Sequence, residues 1–594
     1  MTEDATAGAG PTRRQLGSRA LALGGALVTG TAPRGAMADD GGRARPPLRH
    51  GTPEEAGLLG HHLDRLVEDF SAFLGPSPRH PWCAGAVLLA GRGSTVALHH
   101  PVGHALRYSH YDERTDSGVE LPADRRVAMT RDTVFDLASV SKLFTAILAV
   151  QQIERGALRP RDRVAAHLPG FAAAGKQDMT IHHLLTHTSG LRSWLALYRE
   201  PTREGRLRLL CNEAPLSPPG TAYLYSDLNL ITLQLVLEKV TGRTLDVLLH
   251  EEVTGPLGMR RTRYAPPASW RPGIAATEDC RAPWSGLERG PVRGEVHDEN
   301  AYALGGVAGH AGVFSDAWDL AVLARTLLDG GAHGRARILR PESVELVFTD
   351  VNTAFPGHAH GLGFELHQHW YMGAMATPRT AGHTGFTGTG LVVDPTTDSF
   401  LVVLANSVHP VRTWRSGSAP RVAAANALAR AVPVRPPRGG AAWFAGTAGS
   451  AAATLTLPGL DPHGDGARLE CDLWWDTAPD AEAVFLEASA DAGATWAPVP
   501  FTSVRPGGRA TEHPDGSAAG WSGRAWHRVA AGLGAWRGRR VRLRWRYANG
   551  GPYAGRGVYA TGLRVREGAR VLFDEERPGD ARRITAAGWT RSRD

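Results

Sequence analysis

The hydrophobic periodicity of this chain changes at one point, and that change divides it into two folded parts. Up to about residue 431, apolar residues recur at helical spacing between short β-branched runs. Beyond Gly440 they alternate in short segments separated by Gly-, Pro- and Asp-rich turns. The intervening "VPVRPPRGG" (Val432–Gly440) has the composition of a linker, and 594 residues are too many for one hydrophobic core. We therefore predict two domains joined by residues 432–440.

The first part, residues 39–431, has the pattern of a mixed α/β domain. Three runs predict strands: "AGAVLLA" (Ala84–Ala90), "GLVVD" (Gly390–Asp394) and "FLVVLAN" (Phe400–Asn406). Three longer segments predict helices: "SVSKLFTAILAVQQIERGAL", "NLITLQLVLEKVTG" and "DLAVLARTLLDGG". Because strands bracket a helical middle, we expect the ends of the domain to meet in one antiparallel sheet, flanked by helices and a helical subdomain.

The second part, residues 441–594, predicts an all-β sandwich. Its short alternating segments include "RLECDLWWD", "AVFLEASA", "RRVRLRWRY" and "GVYATGLRV". Nine of the sixteen tryptophans lie after residue 440. We interpret these rings as the core of the sandwich, with an exposed sugar-stacking platform as the alternative.

The N-terminal segment has the features of a bacterial export signal. "PTRRQLGSRALALGGALVTG" places Arg13 and Arg14 before a short apolar run, and "GAMA" ends in a small-x-small pattern at Ala38. We predict a twin-arginine signal over residues 1–38 and a secreted or cell-wall-associated protein, with a disordered tail as the alternative. No later stretch reaches about 18 apolar residues, so we expect no membrane span in the mature chain.

Charge and cysteine content restrict the partners. The formal charge of +7 is spread thinly, without a dense basic stripe interleaved with aromatic residues, so nucleic acid is not an expected partner. An anionic cell-wall polymer, bound by the C-terminal domain, is compatible with this charge. The four cysteines are scattered and form no CxxC pair: Cys83, Cys211, Cys280 and Cys471. This indicates buried thiols, and one long-range disulfide among them is the alternative.

One of only three lysines follows a serine by three residues, in "FDLASVSKLF" (Phe135–Phe144). Arginine, which supplies most of the positive charge, cannot deprotonate in a protein, whereas a desolvated lysine can act as a base. In the first turn of a helix, Ser139 and Lys142 would share one face. The pair therefore predicts a serine nucleophile activated by a lysine.

A second segment offers a partner for this pair. "PPGTAYLYSDLNL" (Pro218–Leu230) carries Tyr225 and Asp227 directly before a predicted helix. Asp227 has the alternative role of a helix cap. We expect the Lys142 ammonium to lower the pKa of Tyr225, which would allow the phenol to move protons.

A third segment, "GHTGFTGTGLVVD" (Gly382–Asp394), opens a predicted strand with His383, Thr384 and Gly385. A glycine at such a position lets a ligand approach the backbone closely. A Gly-rich hairpin is the alternative reading.

The order of these motifs resembles the serine β-lactamase and penicillin-binding protein superfamily. Ser-x-x-Lys is followed after about 85 residues by Tyr-x-Asp and after about 160 more by His-Thr-Gly. The nearest likeness is to its class C-like branch, which includes DD-peptidases, carboxylesterases and muropeptide amidases. "TIHHLLTHTSGL" and "PLGMRRTRY" add to the resemblance, and "RGEVHDENAYALGGVAGHAGVFS" (Arg293–Ser315) is similar to members linked with cell-wall fragments.

The resemblance implies a role for each motif residue. Ser139 would be the acylated nucleophile, Lys142 the general base and Tyr225 the proton relay. The backbone N–H groups of Ser139 and Phe386 would form the oxyanion hole. Substrate would contact Asp227, His383, Thr384 and Gly385, and the 293–315 segment would bring further residues near the site: Glu295, His297 and His310. Neither a metal nor an organic cofactor is implied.

Two departures from the family pattern affect the expected substrate. Asp227 stands where the family usually has Asn, and an ionised carboxylate accepts but does not donate hydrogen bonds. His383 stands where the family usually has a lysine that anchors a substrate carboxylate. These changes favour an esterase, an amidase or a peptidase with a different anchor over an efficient penicillinase.

The C-terminal part resembles jelly-roll modules found beside secreted bacterial hydrolases. "EASADAGATW" (Glu487–Trp496) and "GRGVYATGLRV" (Gly555–Val565) carry the resemblance. Ala560 and Thr561 stand where such modules commonly have Asp, so no bound calcium is expected.

We therefore predict an exported serine hydrolase that acts through an acyl-enzyme on amide or ester bonds, with cell-wall peptides or muropeptides as the leading substrates. A carboxylesterase of the same fold and a non-catalytic penicillin- or wall-binding protein are the alternatives. A zinc hydrolase is disfavoured because His183 and His187 have ligand spacing but Leu184 occupies the place of the general-base Glu.

Overall fold

The computed structural model describes residues 46–76, 79–281, 287–414, 417–446, 452–478, 481–551 and 554–594. These residues belong to one compact unit. Among them, no helix has both the length and the apolar character needed to cross a bilayer. The predicted export signal, residues 1–38, lies outside the described residues.

The two ends of the N-terminal part meet in one sheet, as the strand pattern predicted. Gly85–Arg92 pairs antiparallel with Ser399–Ala405 along its length, although more than 300 residues separate them. Ladders in this eight-stranded sheet are antiparallel except at the edge, where Arg49–His50 runs parallel to its neighbour. From that edge the strands are Arg49–His50, Thr95–Leu106, Gly85–Arg92, Ser399–Ala405, Gly390–Asp394, Ala381–Thr384 and Glu365–Leu366, and Val127–Ala128 pairs with Thr95–Leu106.

Three long helices form where their apolar spacing predicted them. Gly242, with φ of 69°, ends one of them in the left-handed conformation that glycine tolerates. Ser141–Glu154 is buried through nearly its whole length and packs against Asp227–Thr241. The described helices of this part are Gly60–Ala72, Ser141–Glu154, Val164–His167, Ile181–Leu185, Arg203–Asn212, Asp227–Thr241, Leu245–Leu249, Gly255–Leu257, Glu299–Ala303, Ala317–Leu328, Pro341–Val347, His369–Met372 and Ala419–Ala431.

A small three-stranded sheet brings the 293–315 segment to the Ser-Lys motif. Phe135–Asp136, just before Ser139, pairs with Val313–Ser315, which also pairs with Arg263–Tyr264. The Leu137 N–H continues this contact by donating to the Val313 carbonyl. Residues on either side of Ser139 are therefore fixed against a segment more than 170 residues away.

The C-terminal part is all-β and contains two antiparallel sheets, as the alternating pattern predicted. Four of its tryptophans are buried, which favours the core interpretation of these rings: Trp474, Trp475, Trp545 and Trp589. One sheet contains Ala442–Ala445, Ala467–Asp476, Phe501–Val504, Ala510–His513, His527–Gly532, Gly557–Glu567, Arg570–Asp574 and Thr590–Ser592. The other contains Ala453–Thr456, Glu482–Ser489, Ala497–Pro498, Ser517–Ala519, Arg542–Asn549 and Thr585–Ala587.

The all-β part is fixed to the N-terminal part by buried polar contacts. Arg524 donates to Asp476 at 2.8 Å within the all-β part, to Asp394 at 3.2 Å on the N-terminal sheet, and to the Ala374 carbonyl at 2.7 Å. Arg556 donates to the Ala429 carbonyl at 2.9 Å. These contacts satisfy charges that would be costly to bury alone.

The cysteines are free thiols, and Cys83, Cys280 and Cys471 are buried, whereas Cys211 is half-buried. The long-range disulfide that the sequence analysis kept as an alternative is therefore not formed between any two of these four cysteines.

Candidate active site

Ser139 lies in a tight 3-10 turn, Ala138–Val140, directly before the Ser141–Glu154 helix rather than inside its first turn. Ala138 adopts a left-handed conformation with φ of 47°, which a non-glycine residue adopts only when its surroundings enforce it. The buried Asp136 carboxylate accepts from the Ala138 N–H at 2.9 Å. The turn is thereby held in a strained shape that presents the half-buried Ser139 hydroxyl.

Lys142 contacts three acceptors at once. Its Nζ donates to Ser139 Oγ at 2.8 Å and to the His310 carbonyl at 3.1 Å, and it lies 2.8 Å from Asp227 Oδ1. The lysine side chain is only 1% exposed. Two of these contacts are hydrogen bonds, and the contact with Asp227 is an ion pair by distance. An amine that accepts the Ser139 proton must itself be neutral at that step.

Tyr225 lies over the same centre, but the direction of its pKa shift differs from the sequence expectation. Its ring centroid is 5.0 Å from Lys142 Nζ, and its hydroxyl is near enough to Ser139 for that side chain to act on its pKa. Burial and the Asp227 carboxylate raise the pKa of Tyr225 well above its ordinary value, and the contact with Ser139 opposes this only partly. The expectation that Lys142 lowers this pKa is therefore wrong. In the resting site Tyr225 is a neutral phenol that can donate a proton.

His383 is a neutral group beside the centre. Its Nδ1–H donates to the Thr384 carbonyl at 2.7 Å, and its ring centroid lies 5.9 Å from that of Tyr225. Burial, reinforced by the Lys142 charge, lowers the pKa of His383 to about 3. Its Nε2 is buried and has no hydrogen-bond partner among the described residues. At neutral pH this imidazole offers a lone pair and no positive charge.

The end of the His-Thr-Gly strand is tied to the Ser139 turn. Thr389 donates to the Leu137 carbonyl at 2.8 Å, and Thr387 donates to the Asp136 carbonyl at 2.8 Å. A side chain at Gly385 would place Cβ 2.0 Å from Thr389 Oγ1, so only glycine fits. These contacts bring Phe386, whose side chain is 40% exposed, to the cleft beside Ser139.

The 293–315 segment passes beneath Lys142. Thr145 donates to the Gly309 carbonyl at 2.7 Å, and a Cβ at Gly309 would lie 2.0 Å from the Leu230 carbonyl oxygen. The adjacent His310 accepts from Lys142 through its carbonyl. Its imidazole Nε2 lies 2.9 Å from Asp298 Oδ1.

The other two residues predicted from this segment have different surroundings. His297 is buried, with its Nε2 2.7 Å from Glu278 Oε2, and its backbone N–H donates to Asp136 at 2.6 Å. Glu295 is 63% exposed and lies 3.6 Å from Arg289. Glu295 was expected near the catalytic centre, but among the described residues no contact joins its side chain to Ser139, Lys142 or Tyr225.

A buried ion network supports the Phe386 side of the cleft. Arg412 donates to both Glu278 and Glu299, and it lies with His297 against the Phe386 ring. Burial alone would raise the pKa of Glu278, but His297 and Arg412 lower it to about 2. Glu278 is therefore charged at neutral pH.

Several site residues were missed in the sequence. Asp298 caps the Glu299–Ala303 helix through the Ala301 N–H, and "HDEN" carries that capping signal. Burial would raise the pKa of Asp298, but contact with His310 lowers it. His187 packs 4.7 Å from the Tyr225 ring, which its local sequence does not indicate.

The zinc alternative has little geometric basis. His183 takes part in a capping box with Thr180, while His187 Nδ1 accepts from the Ser226 N–H at 3.1 Å. Among the described residues, three other groups bring ligand atoms within 4.8 Å of one another: Asp227, Asp298 and His310; Glu278, Cys280 and His297; and His61, His62 and Asp594. In each group a basic side chain, Lys142, Arg412 or Arg430, already lies on a carboxylate where a cation would bind.

The fold and the Ser-Lys centre together define a serine hydrolase. The beta-lactamase family model matches residues 63–426, which is more than half of the chain. The chain therefore belongs to the beta-lactamase family. This confirms the resemblance to the serine β-lactamase and penicillin-binding protein superfamily that the motifs indicated.

Relatives within this superfamily carry several activities in their names. The chain is 34% identical over 394 residues to the "Putative D-alanyl-D-alanine carboxypeptidase" of Escherichia coli K12, covering 61% of this chain and 86% of that protein. It is 31% identical over 354 residues to the "N-acetylmuramyl-L-alanine amidase" of Bacillus subtilis 168, and the match covers 55% of this chain and 77% of that protein. A solved structure of EstCE1, a hydrolase with promiscuous acyltransferase activity, superimposes on this chain with a TM-score of 0.47. The two sequences are 25% identical, and the match covers 61% of this chain and 99% of EstCE1.

Proposed function

We propose that the protein hydrolyses amide bonds of cell-wall peptides or muropeptides through an acyl-enzyme on Ser139. The observation that carries the proposal is the 2.8 Å contact between Lys142 Nζ and Ser139 Oγ, with the Tyr225 ring centroid 5.0 Å from the same nitrogen. A serine with an adjacent amine and phenol has both a proton acceptor and a proton donor for acyl transfer.

The reaction runs in two halves. Once Lys142 has lost a proton, it accepts the Ser139 proton as Oγ attacks the substrate carbonyl carbon. The backbone N–H groups of Ser139 and Phe386 stabilise the oxyanion, and loss of one such donor typically costs about 3 kcal/mol. Tyr225 passes a proton to the leaving nitrogen and is reprotonated from Lys142. Water then attacks the Ser139 ester with the same groups acting in reverse.

The charges around the centre favour some amides over others. His383 is neutral, because its pKa is about 3, and it cannot attract a substrate carboxylate by charge. The Asp227 and Asp298 side chains are 18% and 21% exposed and bring two carboxylates to the same place. This supports an amide without a free carboxylate beside the scissile bond over a D-Ala-D-Ala end.

Short esters are the second candidate. An ester needs no charged anchor, and its alkoxide leaves with less help from Tyr225 than an amine does. The neutral His383 is compatible with this activity as well. An esterase would retain substantial activity in Tyr225→Phe, whereas an amidase would lose it.

A substrate panel tests the proposal. We expect hydrolysis of muropeptides to exceed that of a D-Ala-D-Ala peptide, nitrocefin and p-nitrophenyl butyrate. Ser139→Ala should abolish every activity, and chelators should change none. Turnover of nitrocefin as the best substrate would contradict the proposed selectivity.

Location and the role of the all-β domain are further proposals. We propose export by the twin-arginine pathway, which Arg13→Lys combined with Arg14→Lys should block. We also propose that residues 441–594 bind wall polymer. Sedimentation of the full chain with insoluble peptidoglycan tests this, and equal sedimentation of a chain ending at residue 440 would contradict it.

A further inference from the structure

A cleft on the N-terminal part combines positive charge with an apolar wall. Its volume is about 520 Å³, a size typical of small-ligand sites, and neither Ser139 nor Lys142 lines it. Its lining includes three arginines, Arg125, Arg271 and Arg293, and none of the described residues that line it is acidic. Most of the remaining lining residues are apolar, among them Leu106, Tyr108, Leu121, Pro272 and Val292.

Arg293 is anchored in this cleft by backbone groups alone. Its Nε donates to the Ile274 carbonyl at 2.7 Å, and a terminal nitrogen donates to the Pro272 carbonyl at 2.6 Å. Burial, and then the charge of Arg271, lower the pKa of Arg293. The guanidinium nevertheless stays charged, because arginine does not deprotonate in a protein. The half-buried Arg293 therefore holds a positive charge beside a second one.

The other two arginines also lack a charged partner. Arg125 and Arg271 are exposed, and neither forms an ion pair with any residue that the structure describes. The nearby Glu120 carboxylate accepts from Arg107 at 2.7 Å and lies 2.6 Å from Arg126. Water solvates a single exposed arginine well, but like charges gathered at one cleft repel one another, and an anion between them would offset this cost.

The walls of the cleft are fixed to one another by backbone hydrogen bonds. The Ala276 N–H donates to the Ala105 carbonyl at 2.7 Å, and the Thr277 N–H donates to the Val292 carbonyl at 2.9 Å. These bonds join the segments that carry Arg271, Leu106 and Arg293. The cleft is therefore formed before any ligand enters it, as small-molecule sites usually are.

The lining selects for a ligand with two kinds of surface. Guanidinium groups match the oxygens of a carboxylate or a phosphate in both geometry and charge. The apolar wall gains from covering an alkyl or aromatic body. A bare inorganic anion would leave that wall in water, and a neutral molecule would leave the arginines uncompensated.

We propose that this cleft binds a small amphipathic anion, whose carboxylate or phosphate head group is held by Arg125, Arg271 and Arg293. The apolar body of the ligand lies against Leu121 and Val292. Binding is reversible and makes no covalent bond. The site is separate from the Ser139–Lys142 centre, so this inference does not depend on the proposed hydrolase function.

Isothermal titration calorimetry of the full chain with matched compounds tests the site. Octyl phosphate and octanoate carry an anionic head group, octyl glucoside carries a neutral one, and inorganic phosphate lacks the apolar body. We expect one or both octyl anions to bind at least tenfold more tightly than octyl glucoside and inorganic phosphate, and the tighter anion identifies the head group. Octyl glucoside binding as tightly as the anions, or no binding of either anion, would overturn the proposal.

Variants test where the anion binds. Arg125→Gln and Arg271→Gln remove one charge each from exposed positions, and each should weaken binding of the tighter octyl anion at least fivefold. Arg335→Gln is the matched control, because Arg335 is exposed and lies outside the cleft, and it should leave binding unchanged. Ser139→Ala should also bind as the wild type does. Undiminished binding in both cleft variants, or its loss in Ser139→Ala, would overturn the assignment.

Discussion

Lys142 Nζ lies 2.8 Å from Asp227 Oδ1, which makes an ion pair directly beside the Ser139 hydroxyl. Most members of the resembled superfamily have a neutral Asn at this position. A carboxylate forms an ion pair with a lysine, whereas an amide offers only neutral hydrogen bonds. The charge beside the Ser139–Lys142 contact therefore differs from that of a centre with Asn.

We expect Asp227→Asn to speed the reaction of Ser139 with a fluorophosphonate by about three- to tenfold at pH 7, because Lys142 Nζ is then no longer held in an ion pair beside the serine. The second-order rate of labelling measures this. Asp178→Asn, which alters an exposed pair with Arg163, is the control and should have no effect. Slower labelling of Asp227→Asn would contradict the role given to the ion pair.

His383→Lys should confer binding of carboxylate-bearing substrates. A lysine there supplies the positive charge that the neutral imidazole lacks, and we expect the KM for nitrocefin to fall by about tenfold. Steady-state kinetics on wild type, His383→Lys and His383→Gln provide the measurement. The Gln variant remains neutral and should behave as the wild type does. An equal gain in both variants would mean that size, not charge, controls this substrate.

The sequence predicted the fold well where patterns are local and repeated. The strand Gly390–Asp394 and the Asp227–Thr241 helix form within two residues of their apolar patterns. The strand is determined by a short β-branched run, and the helix end by the left-handed Gly242. Both signals lie in residues that are close together in the sequence. The positions of Ser139, Lys142 and Tyr225 follow from motif order, but their mutual geometry does not.

What the sequence could not predict depends on long-range packing. Burial and the Asp227 carboxylate raise the pKa of Tyr225, and neither the burial nor this contact can be read from the local sequence. The pairing of Glu278 with Arg412 joins residues 134 positions apart. The Ser193 carbonyl accepts from the Asp227 N–H, a contact between residues 34 positions apart.

The Glu278–Arg412 pair should make stability depend on acid pH. Glu278 has a pKa of about 2 in the fold, below the ~4.3 of an unfolded chain. Its stabilising contribution is therefore complete above about pH 4.5 and is lost as the pH falls toward 2. Denaturant titrations between pH 3 and pH 7 measure this loss.

Glu278→Gln should weaken that pH dependence and lower the free energy of unfolding at pH 7 by roughly 3 kcal/mol, because the half-buried Arg412 guanidinium loses one of its two charged partners. Glu345→Gln, which removes an exposed pair with Arg379, should cost less than about 1 kcal/mol. If the free energy of unfolding of Glu278→Gln depended on pH as steeply as that of the wild type, Glu278 would not be the group that causes the acid sensitivity.

Arg524 should couple the two parts of the chain. Arg524→Met leaves Asp394 and Asp476 buried without their partner, and we expect a loss of roughly 3 to 5 kcal/mol in the free energy of unfolding. Chemical denaturation followed by tryptophan fluorescence measures it. Arg537→Met, on an exposed pair with Asp465, is the matched control. A loss below about 1 kcal/mol would show that this contact does not hold the two parts together.

Intact-mass spectrometry after reaction with a fluorophosphonate tests the central claim most directly. The account predicts a single adduct on the wild type, mapped by peptide digestion to Ser139, and no adduct on Ser139→Ala. Lys142→Met should react at least a hundredfold more slowly, because no other amine among the described residues contacts the serine. Labelling of another residue, or undiminished amide hydrolysis by Ser139→Ala, would contradict it.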